Sequence, residues 1–191
     1  MPIMLSKEKI IEAAVELFKE KGYAATTVQD IADKLGSAKS ALYYYIQSKE
    51  EVLWEIIDHT MTTAELRIQE LMNQEMPVVE RIEKIIYNQI MSVRDDAHYM
   101  VIFFTERTHL PVGRLEEINA RSRNYEEKIA AVIREGITQG ILEPVDVLPA
   151  VYGIIGMCNW VYHWFNPKGP SSAEEIAELF SRMILRGFLK Q

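Results

Sequence analysis

Apolar residues recur at intervals of three and four from one end of this chain to the other, and no stretch alternates apolar with polar for long enough to read as a strand. The expectation is an all-α fold of about nine helices. Ser6 caps a first helix carrying Ile10, Ile11, Ala14, Leu17 and Phe18 on one stripe and ending at Lys21-Gly22. Thr27 opens a short second helix, with Asp30 three residues on and Val28, Ile31, Ala32 and Leu35 at helical spacing before Gly36. A third helix runs roughly from Ala38 to Tyr44. Ser48 and Glu51 form a capping box that starts a long helix ending near Asn73. Further helices begin at Pro77, running to Arg94, and near Ala97, running to His109. Another follows the break at Pro111-Val112-Gly113 and runs to Gln139-Gly140, and one capped by Asp146 runs to Phe165. Asn166-Pro167-Lys168-Gly169-Pro170 stops it, and Ser172 with Glu175 opens the last, whose apolar side is Ile176, Leu179, Phe180, Met183, Ile184 and Phe188, with Arg186 and Lys190 near its end.

Two short helices around a glycine turn are a DNA-binding arrangement when the second carries suitable side chains. On a wheel of about 100° per residue, Ala41, Leu42 and Tyr45 fall on one arc and Lys39, Ser40, Tyr43 and Tyr44 on the other. The first arc is expected to pack and the second to face out. Tyrosine and serine hydroxyls bond phosphates, lysine neutralises them, and the small Ser40 and Ala41 allow close approach to the major-groove floor. The free N–H groups at the start of the next helix, with Lys49, suit a backbone phosphate.

Thr27-Val28, Ile31-Ala32, Gly36, Lys39, Leu42-Tyr43 and Lys49-Glu50 together resemble the amino-terminal domain of the TetR family of bacterial transcription regulators, over about the first 55 residues. The resemblance implies Thr27, Tyr43, Tyr45 and Lys49 on phosphates and Lys39, Ser40, Ala41 and Tyr44 nearer the bases. Ser37 stands where the family usually has a branched apolar residue and Ala38 where a serine usually caps the recognition helix. Ser37 is therefore expected to take over the cap and joins the DNA-facing set. The implied organisation is a DNA-binding domain over residues 1–50 and a helical effector-binding and dimerisation domain over 51–191.

The formal charge of −7 belongs wholly to the second part, because residues 1–50 hold seven lysines against seven acids. No arginine precedes Arg67, so the headpiece lacks the guanidinium fork that most often reads guanine. A neutral headpiece makes few phosphate contacts, and two must act together on double-stranded DNA. Val151 to Phe165 is apolar nearly all round and needs cover on every side, which the last two helices of a second subunit supply in a homodimer.

Trp160 to Pro170, with Ala173-Glu174-Glu175-Ile176-Ala177, resembles the carboxyl-terminal domain of a TetR branch whose known effectors include acyl-CoA thioesters, although that branch usually has arginine where this chain has His163. Met100, Phe103, Phe104 and Arg107 on one helix, with Met157, Trp160, His163 and Trp164 on another, are the candidate lining of an apolar tunnel with a basic mouth. Arg107, Arg114, Arg121 and Arg123 are candidates for the phosphates of a CoA head. A plain aromatic core explains the same stripe.

Other chemistry is thinly represented. The single cysteine, Cys158, excludes an internal disulfide, and at five residues from His163 it diverges from that ring on a helix, so it reads as a buried structural thiol. Glu106-x-x-His109 and Asp95-x-x-His98 have a metal-binding spacing but lack the further carboxylates of a di-metal site, so neither a metal nor a cofactor is expected. No nucleophile, base and orienting group converge as an enzyme needs. No apolar run reaches membrane-spanning length and the start Met1-Pro2-Ile3-Met4-Leu5 lacks a secretory layout, so a cytoplasmic protein without membrane contact is expected. The expected function is a ligand-responsive repressor. The alternatives are a helical acyl-chain enzyme or carrier without a DNA role, and a TetR-type regulator that senses an unrelated aromatic or cationic compound.

Overall fold

The computed structural model describes residues 5–189, which leaves Met1-Pro2-Ile3-Met4, Lys190 and Gln191 outside the described residues. The described chain is helical: α1 (Lys7–Lys21), α2 (Val28–Lys34), α3 (Lys39–Leu42), α4 (Lys49–Met72), α5 (Val78–Asp95), α6 (Ala97–Glu106), a 3-10 turn (Arg107–His109), α7 (Val112–Thr138), α8 (Val147–Asn159), α9 (Val161–Trp164) and α10 (Ala173–Phe188). The only strand-like pairing among the described residues is an isolated bridge between Leu142 and Leu189. No helix among them is long and apolar enough to cross a membrane.

The chain forms two compact units, one of residues up to Thr62 with His98–Asn119, the other of Thr63–Ala97 with the residues from Ala120 onward. The division falls inside α4 and α7 and so differs from a boundary at residue 50. The first half of α4 gives Val52, Leu53, Ile56 and Ile57 to the first core, where they are fully buried with Ile10, Ala14, Ile31, Ala32 and Leu42. On α1 the buried positions are Ile10, Ala13, Ala14, Val15 and Phe18, and Ile11 and Leu17 lie at its margin.

Helix starts follow the side-chain caps. Thr27 accepts the Asp30 N–H at 3.1 Å and Asp30 accepts the Thr27 N–H at 2.7 Å, a reciprocal box. Ser172 and Glu175 repeat it at α10 with 3.1 and 2.8 Å. Ser48 accepts the Glu51 N–H, while the Glu51 carboxylate takes the N–H of Gln47 rather than of Ser48. Asp146 precedes α8 without a side-chain bond. The helix expected to reach Phe165 breaks at Trp160, because the His163 N–H turns to the Trp160 carbonyl three residues back.

In the second unit α5 packs against α8, α9 and α10. The side of α10 buried within the protomer is Ala173, Ile176, Ala177, Ser181 and Leu185, and Leu179 and Met183 on its apolar side are exposed. On α8 the buried residues are Ala150, Val151, Ile154 and Cys158, while Leu148 and Tyr152 are exposed. Burial pushes the Cys158 thiol up to about 12.

Two measurements follow from these local environments. Lys21 at 2.9 Å, then the Thr27 hydroxyl and N–H, hold the Asp30 carboxyl down to about 2 against an ordinary 3.8. A depressed carboxyl contributes stability above its unfolded value that is lost as pH falls through the folded one. The melting-temperature gap between the wild type and Asp30→Asn should therefore be full above about pH 4 and close toward pH 2. A gap constant over that range would remove the ionic part of the cap. With its thiol near 12, Cys158 carries a thiolate fraction on the order of 10⁻⁴ at pH 8. Iodoacetamide should alkylate it only after denaturation, and labelling of native protein at the free-thiol rate would contradict its burial.

Candidate nucleic-acid interface and effector residues

α2 ends in a hydrogen-bonded reversal that sets up α3. Gly36 has φ +60°, its N–H bonds the Asp33 carbonyl at 3.1 Å, and the Ser37 N–H bonds the Ala32 carbonyl at 2.9 Å. This is the Schellman pairing, and it needs the left-handed backbone that glycine tolerates. Ser37 is thereby engaged as the residue after the turn. The expected Ser37 cap is absent: Ala38 is the N-cap of α3, without a side-chain bond.

α3 is shorter than the sequence pattern suggests. After Leu42 the backbone tightens, with Tyr44 N–H bonding the Ala41 carbonyl and Tyr45 N–H the Leu42 carbonyl at 2.8 Å. The 100° wheel no longer holds there, so Ile46 takes the buried place (1% exposed) and Tyr45 emerges at 36%. Tyr45 therefore leaves the packing arc to which the wheel assigned it. Lys39, Ser40, Tyr43 and Tyr44 are all exposed, Tyr44 by 87%, while Ala41 is half-buried and Leu42 fully buried. Tyr44 and Tyr45 meet edge to face at 5.2 Å, and the Lys39 ammonium lies 5.8 Å from the Tyr43 ring centre. Thr27, Ser37, Lys39, Ser40, Ala41, Tyr43, Tyr44 and Tyr45 thus belong to one turn-helix-turn segment and its cap.

Lys49 is arranged differently. Its ammonium donates to the Tyr23 carbonyl at 2.6 Å and the Thr26 carbonyl at 2.7 Å and sits 4.1 Å from the Tyr23 ring centre. Burial holds its pKa below the usual lysine value. The partners Tyr23 and Thr26 carry no sequence signal of this role, because carbonyl oxygens belong to every residue.

The eight candidate effector residues divide between the units. In the first, Met100 and Phe103 are buried, Phe104 stands edge-on to Phe103 at 5.3 Å, and the Arg107 guanidinium lies 5.5 Å from the Phe103 ring. In the second, Trp160 and His163 stack at 4.6 Å and, with Trp164, are exposed. Met157 lines a groove of about 480 Å³ with Val145, Pro149, Gly153, Ile184 and Phe188. The arginines serve separate partners: Arg114 lies 4.8 Å from the Trp54 ring, and Arg121 grips both oxygens of Glu65 at 2.7–3.1 Å. Glu106 and His109 stand 3.5 Å apart, His98 meets Lys19 at 2.8 Å, and no metal-sized cluster of His, Cys, Asp or Glu occurs among the described residues.

A polar cluster inside the second unit was not singled out from the sequence. Arg67, Asn88, Gln89, Ser92 and Tyr125 surround a cavity of about 10 Å³, the room of one water. Arg67 bonds the Ser92 hydroxyl, which donates to the Asn88 carbonyl at 2.9 Å, and burial raises the Tyr125 phenol. The signal available was Asn88-Gln89 and Ser92 interrupting the otherwise apolar face of α5.

Residues 10–56 match the family described as bacterial regulatory proteins, tetR family, and residues 75–188 match the tetracyclin repressor-like C-terminal domain. The HTH-type transcriptional repressor KstR2 of Mycobacterium tuberculosis is 26% identical over 185 residues, covering 96% of this chain and 92% of that one. Its solved structure, a ketosteroid transcriptional regulator, superposes with a TM-score of 0.92 over 97% of this chain and 95% of that one, at 25% identity. The TetR family regulator PfmR from Thermus thermophilus is 33% identical, with a TM-score of 0.86 over 95% of this chain and 99% of that one. AibR, solved in complex with isovaleryl coenzyme A and operator DNA, is 29% identical, with a TM-score of 0.84 over 93% of this chain and 96% of that one. The chain therefore belongs to the TetR family of DNA-binding transcription regulators.

Proposed function

We propose that the chain is a cytoplasmic, homodimeric repressor that leaves its operator when a small apolar effector, an acyl-CoA thioester, binds. The observation that carries the DNA reading is the outward display of Lys39, Ser40, Tyr43 and Tyr44 on a segment anchored from beneath by Leu42 and Ile46. Lys39, Ser40, Ala41 and Tyr44 read the groove, and Thr27, Ser37, Tyr43 and Tyr45 meet the backbone on either side. Two such headpieces address half-sites one or more helical turns apart.

The dimer reading is supported by apolar surface left uncovered on one protomer. Leu148, Tyr152, Leu179 and Met183 are exposed on α8 and α10, beside the groove that Gly153 and Met157 share with Ile184 and Phe188. Adjacent exposed apolar residues on two helices are the mark of an interface. The effector class is supported by AibR, a structural relative bound to isovaleryl coenzyme A.

Effector and DNA then affect one another with opposite sign, because each favours a different state of the same protein. On a duplex selected by the wild type from a random pool, Lys39→Ala and Tyr44→Ala should each lower specific affinity by about tenfold or more. Unchanged binding by both would remove α3 from the interface. Saturating isovaleryl-CoA or a longer acyl-CoA should release the duplex; tighter binding would make the ligand a co-repressor, and no response to any chain length would remove this class. Tyr152→Glu with Met183→Glu should give a folded monomer by sedimentation velocity that has lost specific binding. A dimer that survives both charges would place the interface elsewhere.

A further inference from the structure

The start of α2 is held by one peptide group gripped from both sides. The amide between Thr26 and Thr27 presents its carbonyl to the Lys49 ammonium at 2.7 Å and its N–H to the Asp30 carboxylate at 2.7 Å. A peptide is planar, so fixing both its polar atoms fixes the direction in which the chain enters α2. The turn before it is also constrained: Gly22 has φ +81°, and the fully buried Thr26 donates its hydroxyl to the Gly22 carbonyl at 2.8 Å.

Lys49 is not disposed as a phosphate ligand. Two of its three N–H groups are taken by carbonyls, and the ammonium lies against the Tyr23 ring. On its other contacts Tyr23 meets Phe18 edge-on at 5.2 Å and His109 at 5.2 Å with the rings 34° apart. His109 follows α6, and its Nε2 is 3.5 Å from Glu106, a carboxylate only 15% exposed. The Glu106 carboxylate also stands 3.8 Å from where a Cβ on Gly22 would be. The end of α1, the start of α4 and the end of α6 therefore meet around one cation, three rings and one carboxylate, all within the first unit.

We propose that Lys49 is a positioning residue for operator binding: it acts on DNA through the Thr26–Thr27 peptide and the Thr27 cap, and His109, packed on Tyr23, ties the end of α6 to the same device. The inference rests on the DNA-binding reading of α2 and α3. Loss of Lys49 takes the ammonium from two turn carbonyls, of which Tyr23's keeps the Thr26 N–H at 3.2 Å and Thr26's keeps no donor among the described residues, and lets α2, with α3 behind it, change direction. Loss of His109 removes the packing behind Tyr23 and works through the same turn.

The test is the salt dependence of binding to the wild-type-selected duplex, with active fractions set by stoichiometric titration. Lys49→Met should lower affinity by about tenfold, because bonds to a charged group are lost, with the slope of log affinity against log salt unchanged. His109→Leu should lower affinity in the same way, and the double substitution should fall short of the product of the two losses. A phosphate-bound Lys49, present twice in the dimer, would instead flatten the slope by about 1.8. That flattening, or wild-type affinity in His109→Leu, overturns the proposal while leaving the headpiece reading intact. Failure of the wild type to select any duplex overturns both. If Lys49→Met does not fold, His109→Leu and Tyr23→Leu carry the test, and both must weaken binding at the wild-type slope.

Discussion

A helix of four residues cannot hold itself together, because nucleating a helical turn is costly and α3 closes too few bonds to recover that cost. The surface it presents exists only because neighbouring elements fix its ends. Leu42 and Ile46 are buried beneath it, each burial contributing about 2 kcal/mol. Gly36 reverses the chain in front of it, and the reciprocal Thr27–Asp30 box orients α2, from which that reversal starts. Lys49 grips the peptide just ahead of the box. The exposed polar side chains of α3 are therefore supported from its inner side by apolar and hydrogen-bonded groups.

The same economy limits what one headpiece can do. Its charge is balanced, it has no arginine, and Lys49 is turned to backbone carbonyls, so Lys39 is left among exposed hydroxyls with little electrostatic help. In the proposed dimer, affinity comes from doubling the contact, and the uncovered faces of α8 and α10 would join the two headpieces. The acidic excess lies in the part of the chain that carries those faces, away in sequence from α3.

Much of this was legible in the sequence where one residue determines one local geometry. Thr27 with Asp30, Ser172 with Glu175 and Gly36 marked helix ends because the signal and the structure it causes lie within a few residues. Periodicity failed where it was extended past the end of a helix, as at Tyr45, or where an apolar helix tightened, as at Trp160. It also could not say which part of the apolar side of α10 is covered within the protomer, where Ile176 is buried and Leu179 and Met183 are exposed. The inward turn of Lys49 was illegible because its partners are main-chain carbonyls contributed by Tyr23 and Thr26, residues distant in sequence. The polar cluster of Arg67, Ser92 and Tyr125 is likewise assembled from three helices.

The central claim is that two weakly charged headpieces, joined through α8 and α10, read DNA together. Sequencing the duplexes that the wild-type protein enriches from a random pool tests it most directly. The account predicts a near-palindrome whose half-sites lie one or more helical turns apart. Enrichment of a single, asymmetric half-site, bound by one protomer with undiminished affinity, would contradict it.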